Sequence, residues 1–146
     1  MLAEVDLVLD CTGSDVALEA LAQAPFPVPR IFSSVSVGFR ARRTFVFVAR
    51  ADRFPREAFL EAVRPWLRQE AHEAEGRSEV AEGAGCWSPL FPARLDDLWI
   101  AAAGAVKVLE EKVLSPSAAE LIVLEQQPGA SFAGLRRVPG TEVPCG

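Results

Sequence analysis

Hydrophobic residues follow two rhythms along this chain. Residues 5–10, Val-Asp-Leu-Val-Leu-Asp, form a short apolar run that ends in a carboxylate. Such a run predicts a strand buried on both faces of a parallel sheet. Cys11-Thr-Gly-Ser14 then predicts a turn, with Ser14 or Asp15 capping a helix over 16–24. Pro25, Pro27 and Pro29 stop that helix. Residues 30–37 are β-branched and serine-rich and predict a second strand. After Gly38, residues 39–51 alternate: Phe45, Phe47 and Ala49 fall on one face, Val46 and Val48 on the other. The short connection at Gly38 predicts antiparallel pairing of these two strands.

The rhythm then changes to helical. Pro55 suits a first turn, where its missing N–H is not needed. Phe59, Leu60, Val63, Trp66 and Leu67 recur at helical spacing, and Pro65 is expected to kink or divide that helix. Residues 72–85 are polar and acidic, with Gly76, Gly83 and Gly85, and predict a mobile loop. Residues 85–92, Gly-Cys-Trp-Ser-Pro-Leu-Phe-Pro, predict an ordered loop that packs against something. Asp96 and Asp97 open the strongest helix, over 98–114, and Lys112 lies near its end, matching the helix dipole. Residues 119–125 and 131–137 predict a closing strand pair, and 138–146 a tail.

This order predicts an α/β fold: a partial Rossmann-like mixed sheet, parallel at its start and antiparallel in its carboxyl-terminal strands, with packed helices. A doubly wound nucleotide site also needs a glycine-rich turn at a helix amino terminus. Neither GxGxxG nor GxxxxGK[ST] occurs in the sequence. The opening strand reads as an inner strand without its neighbours. A sheet edge and apolar faces are therefore expected to be exposed. A truncated domain, a fragment, or a chain that completes its sheet with a partner would each account for that.

Composition narrows the function classes. A chain of 146 residues suits one domain with one core. A net charge of -5 argues against a nucleic-acid partner held by phosphate contacts. Arg40, Arg42 and Arg43 are the densest basic group and read as a solvated strand edge. The longest apolar run, 98–106, is too short to span a bilayer, and the first residues lack a signal peptide's basic start. A cytoplasmic location with reduced thiols is the expectation. The cysteines, Cys11, Cys86 and Cys145, number three and are widely spaced, so they frame neither disulfides nor a metal box. Cys11 follows the first strand and is expected in the core; His72, the only histidine, is expected on the surface.

Asp6-Leu-Val-Leu-Asp-Cys-Thr12 resembles the second half of the ThiF/MoeB/HesA proteins, the ubiquitin-activating-type adenylyltransferases. The order of strand, helix, hairpin, crossover loop, long helix and closing strands matches theirs. The proline-containing loop feeding the alanine-rich helix over 89–109, and the segments 121–124, 132–137 and 139–146, add to the likeness. The resemblance implies that residues 1–146 are the carboxyl-terminal part of such a domain, with 73–94 as its crossover loop. It implies ATP and magnesium as cofactors, bound with the amino-terminal half. It implies a ubiquitin-like or sulfur-carrier protein as partner, and a homodimer or completion by a partner chain. Asp10 and Thr12 would lie at the nucleotide site, and Cys86 would be the cysteine that captures the carrier as a thioester. Two departures stand out. The family's Asp-Asn is replaced by Gly13-Ser14, and its paired Cys-x-x-Cys motifs are absent, so no zinc is expected.

The residues alone leave alternatives. Cys86 reads either as a thiolate nucleophile on a glycine-flanked loop or as a small buried hydrophobe beside Trp87 and Phe91. Asp10 reads either as ligand-facing, at the carboxyl end of a parallel strand, or as a turn cap. Residues 5–14 also look like the inner strand of an NAD-dependent medium-chain dehydrogenase. A non-catalytic ThiF-like interaction subunit is a third reading, motivated by Gly13-Ser14.

Overall fold

The computed structural model describes residues 6–74, 93–115, 119–127 and 134–138. Five strands and three helices follow one another: β1 (Leu7–Asp10), α1 (Asp15–Gln23), β2 (Arg30–Val37), β3 (Arg43–Ala51), α2 (Arg56–Ala74), α3 (Leu95–Leu114), β4 (Glu120–Gln126) and β5 (Leu135–Arg137). A single turn of 3-10 helix, Phe39–Ala41, joins β2 to β3. The strands form one sheet in sequence order. β1 and β2 are parallel, and every later pairing is antiparallel. The fold is the mixed α/β sheet that the strand pattern predicts.

Alternation in β3 decides the layering. Phe45, Phe47 and Ala49 face α1 and α2, where they join Phe32, Phe54, Phe59 and Leu18 in the larger core. Val46 and Val48 face α3 and pack with Ile122, Leu124, Ala105 and Val108. The small residues Ala101 and Ala105 let α3 lie close on β3 and β2. The helices therefore cover opposite faces of one sheet.

Several expectations are corrected. β1 is not buried on both faces: it is the edge strand, and Leu9 is exposed. Cys11 is exposed rather than in the core, because the chain turns outward immediately after Asp10. α2 runs through Pro65 as one helix to Ala74, so His72 lies in its last turn instead of a loop. Glu61 and Pro65 are both exposed, so the carbonyl that loses its N–H partner faces water. α3 begins at Leu95, a turn early, and so takes Asp96 and Asp97 into its first turn. Cys86, the rest of the 75–92 segment and the 139–146 tail lie outside the described residues.

Arg43 is the largest correction. In place of a solvated edge, it is 2 % exposed and bound by three carboxylates. Its guanidinium reaches Glu70 at 2.6 Å, Glu73 at 2.8 Å and Glu125 at 3.1 Å. Arg42 keeps the expected exposure, though it too pairs with Glu73 at 3.2 Å. Among the described residues, no helix is long and apolar enough to cross a membrane.

Candidate functional site

The candidate site forms at the carboxyl ends of β1 and β2, the end at which open α/β sheets bind ligands. β1 stops at Asp10, and the chain needs four residues to enter α1. Gly13 sits at φ 62, in the left-handed region that glycine enters without cost. Ser14 caps α1, its Oγ accepting from the Ala17 N–H at 3.4 Å.

Asp10 and Thr12, the two residues assigned to a nucleotide by the resemblance, bind each other. The Thr12 backbone N–H and side-chain hydroxyl donate to Asp10 Oδ1 at 3.1 and 2.7 Å. The Ser34 hydroxyl of β2 donates to Asp10 Oδ2 at 3.2 Å. The Ser14 N–H donates to Thr12 Oγ1 at 3.1 Å. Asp10 is buried, and each of its oxygens holds a hydroxyl or N–H of the chain. The hydrogen bonds have the form of a turn cap, the carboxylate fastening the loop to β2, and Asp10 also stands at the carboxyl end of a parallel strand. Ser34 was not legible as a member of this group, since only the parallel register of Asp10 against it makes them neighbours.

These residues do not by themselves fit a magnesium nucleotide. The loop position at which the resemblance expects a carboxylate is Gly13 here, and both oxygens of Asp10 accept hydrogen bonds from the chain. Among the described residues, no group of three or more His, Cys, Asp or Glu side chains is placed to hold a metal ion.

The end of α2 and the start of α3 lie at this same end. α2 finishes where Glu73 binds Arg42 and Arg43, at the foot of β3. α3 starts beside the β2–β3 turn, because the Gln126 amide donates both to the Ala41 carbonyl at 3.3 Å and to the Asp97 carbonyl at 3.2 Å. Both ends of the connection thus meet the turn. Arg94, just before α3, grips Asp96 with two hydrogen bonds at 3.0 and 2.9 Å. That pairing holds the exposed Arg94 guanidinium above its usual value and the Asp96 carboxyl below its own.

The turn itself is tightly determined. Arg40 and Ala41 sit at φ 55 and 49, left-handed values that cost about 1–3 kcal/mol per residue outside glycine. Glu70 compensates. Its Oε2 accepts from the Phe39 N–H at 2.5 Å while Oε1 holds Arg43. A Cβ at Gly38 would stand 2.7 Å from that carboxylate, so a larger residue there must push Glu70 aside. Burial draws the Arg43 guanidinium down, but its hydrogen bonds and charge pairs with Glu73 and Glu70 outweigh this and hold it above its usual value. Arg43 in turn holds Glu73 below the ordinary carboxylate value. Burial pushes Glu125 up, and Arg136, Arg43 and Arg42 more than reverse that. Sequence reading missed these acids. Glu70 and Glu73 share a face of α2 at i, i+3, which was the available signal.

Sheet and loop together define a Rossmann-like α/β protein whose antiparallel run, β2 to β5, is not the series of crossovers that a dehydrogenase reading expects. No protein-family model matches the chain. Over 115 residues it is 34% identical to the ATP-dependent ubiquitin transferase-like protein Cap2 of Enterobacter hormaechei subsp. hoffmannii (strain UCI 50). The match takes in 79% of this chain and 19% of that protein. The chain spans about a fifth of the length of the curated relative it matches. The likeness agrees with the ThiF-like resemblance read from the residues.

Proposed function

We propose that this chain is the carboxyl-terminal part of a ThiF-type activating domain that works on the carboxyl terminus of a ubiquitin-like or sulfur-carrier protein. The likeness to a protein named an ATP-dependent ubiquitin transferase-like protein carries the reading. The β1–loop–α1 arrangement, and the placing of the end of α2 and the start of α3 at the ligand end of the sheet, support it. ATP and magnesium belong, in this reading, to the complete domain, and no step through them is derived from these residues.

Cys86 is the acyl acceptor in this proposal. Its sulfur forms a bond to the carrier's terminal carbonyl carbon as that carbon's bond to its leaving group breaks; the leaving group, a thiolate in the test below, departs and takes up the Cys86 proton. The test needs no ATP. Ubiquitin carrying a carboxyl-terminal thioester is incubated with the protein, and the adduct is located by mass spectrometry. A thiol-reversible adduct on Cys86, lost in Cys86→Ala and kept in Cys11→Ala, is the expected result. Labelling of the exposed Cys11 instead, or no adduct, would overturn the assignment.

One observation favours a second reading, a ThiF-like subunit that binds without catalysing. Gly13 stands where the family has its magnesium carboxylate, and Asp10 is consumed by the turn. Asp tolerates left-handed φ better than most residues, so Gly13→Asp can restore the missing group. If ATP–pyrophosphate exchange by the protein, joined to the unmatched part of the relative, required Gly13→Asp, the second reading would replace adenylation by the native chain.

A further inference from the structure

Of the three arginines at the β2–β3 turn, two are neutralised. Arg42 and Arg43, with Arg136 of β5, meet Glu70, Glu73 and Glu125 in ion pairs of 2.6 to 3.6 Å. Guanidinium groups and carboxylates are equal in number there, so the network is balanced. Arg40 stands outside it. Its side chain is exposed, and its guanidinium rests on the ring of its own neighbour Phe39, 5.4 Å from the centroid. The charge left uncompensated at the turn is that of Arg40.

Arg40 is also strained. Its φ of 55 and ψ of 30 are left-handed, a region that glycine enters freely and arginine does not. Glu70 on the Phe39 N–H and Gln126 on the Ala41 carbonyl hold the backbone on either side of it. The side chain gives the fold little in exchange, a surface contact with one ring. A strained residue on a firmly held turn, with its side chain in water, is a place where backbone geometry aims a group outward. A guanidinium aimed in this way takes a carboxylate or a phosphate. Position chooses between them. Asp10, at the start of the loop before α1, stands against Ser34. Gly38 lies four residues beyond Ser34, about 13 Å further at the usual strand rise. The anion therefore sits beside the loop that the resemblance assigns to a nucleotide, on the second substrate.

We infer that Arg40 is a specificity-determining residue, which binds a carboxylate side chain close to the carboxyl terminus of the carrier protein. The inference rests on the proposed function for the identity of that partner. Arg40 selects and aligns the carrier; it takes no part in the bond made to Cys86. Arg42 and Arg43 do not share the task, because their guanidinium groups are already held by glutamates.

The probes are two labelled synthetic peptides that end in Gly-Gly, one with glutamates before the glycines and one with lysines, each titrated into the full chain. The glutamate peptide should bind saturably and at least tenfold more tightly. Arg40→Gly should abolish that preference and leave the urea midpoint unchanged or higher, since glycine relieves the strain. Arg40→Lys should keep part of the preference. Arg68→Ala, which removes an exposed arginine from the outer face of α2, should leave it whole. Equal binding of the two peptides overturns the inference, as does a preference that survives Arg40→Gly or falls as far in Arg68→Ala. So does a lowered urea midpoint in Arg40→Gly, which would make Arg40 a structural residue. Tighter binding of inorganic phosphate than of the glutamate peptide, read by competition, would also overturn it. The same peptides made as carboxyl-terminal thioesters separate the two claims. Peptide preference without transfer to Cys86 would count against the proposed function alone. Transfer to Cys86 indifferent to peptide charge would count against this inference alone.

Discussion

The two faces of the sheet are finished to different degrees. On the α1 and α2 face, five phenylalanines interlock: Phe26, Phe32, Phe47, Phe54 and Phe59. Their ring contacts run from 5.3 Å for Phe26–Phe32 to 6.2 Å for Phe32–Phe54, mostly edge-on, the favoured aromatic geometry. On the other face, α3 alone packs on β-branched and aliphatic residues, and apolar side chains beside it remain in water. The difference teaches where the stability of the fold is concentrated. The phenylalanine face and the Arg43 network hold the strands in register. The α3 face near β1 leaves Leu9, Val106 and Leu114 in water and contributes little to folding.

Mutations can sharpen or break that contrast. The largest effect is expected at Phe47, fully buried between Phe54 and Phe59. Phe47→Ala should cost about 3–5 kcal/mol in urea unfolding. Glu70→Ala comes next, at about 3 kcal/mol. That is the low end for a broken buried pair, because Arg43 keeps Glu73 and Glu125. A loss near zero would mean that the network is decorative. Gly38→Ala forces the Glu70 carboxylate away and should cost about 1–3 kcal/mol. Val106→Ser should change stability by less than about 0.5 kcal/mol. If Val106→Ser rivalled Phe47→Ala, the contrast between the faces would collapse.

Acid gives a gentler test. Glu73 and Glu125 titrate below the ordinary value of 4.5 in the folded chain. The unfolded chain therefore takes up protons that the folded chain refuses. Their stabilisation is complete above that value and fades as pH falls through the folded values. Urea midpoints from pH 6 to 3 should drop, and Glu73→Gln should drop less steeply. A variant as acid-sensitive as the native chain would remove Glu73 from the account.

Much of the fold was legible because its elements are local. β3 shows its two faces by strict alternation, and α3 declares its start through Asp96 and Asp97. The Asp10–Thr12 turn was legible for the same reason. Arg43 was not, since a buried arginine looks like a surface one until Glu70, 27 residues later, is brought against it. Cys11 misled because a cysteine after an apolar run suits a core, whereas the turn points it outward. Cys86 was singled out by the resemblance and its glycine-flanked loop; the described residues fix only where its segment leaves and returns.

The central claim, a closed sheet centre with a corner left open at β1, is tested most directly by hydrogen exchange on the chain alone. Amides pairing β3 with β4 should exchange only through global unfolding. Amides at Leu7–Asp10 should exchange through local opening, at least a hundredfold faster. Equal protection in β1 and β3 would contradict the account.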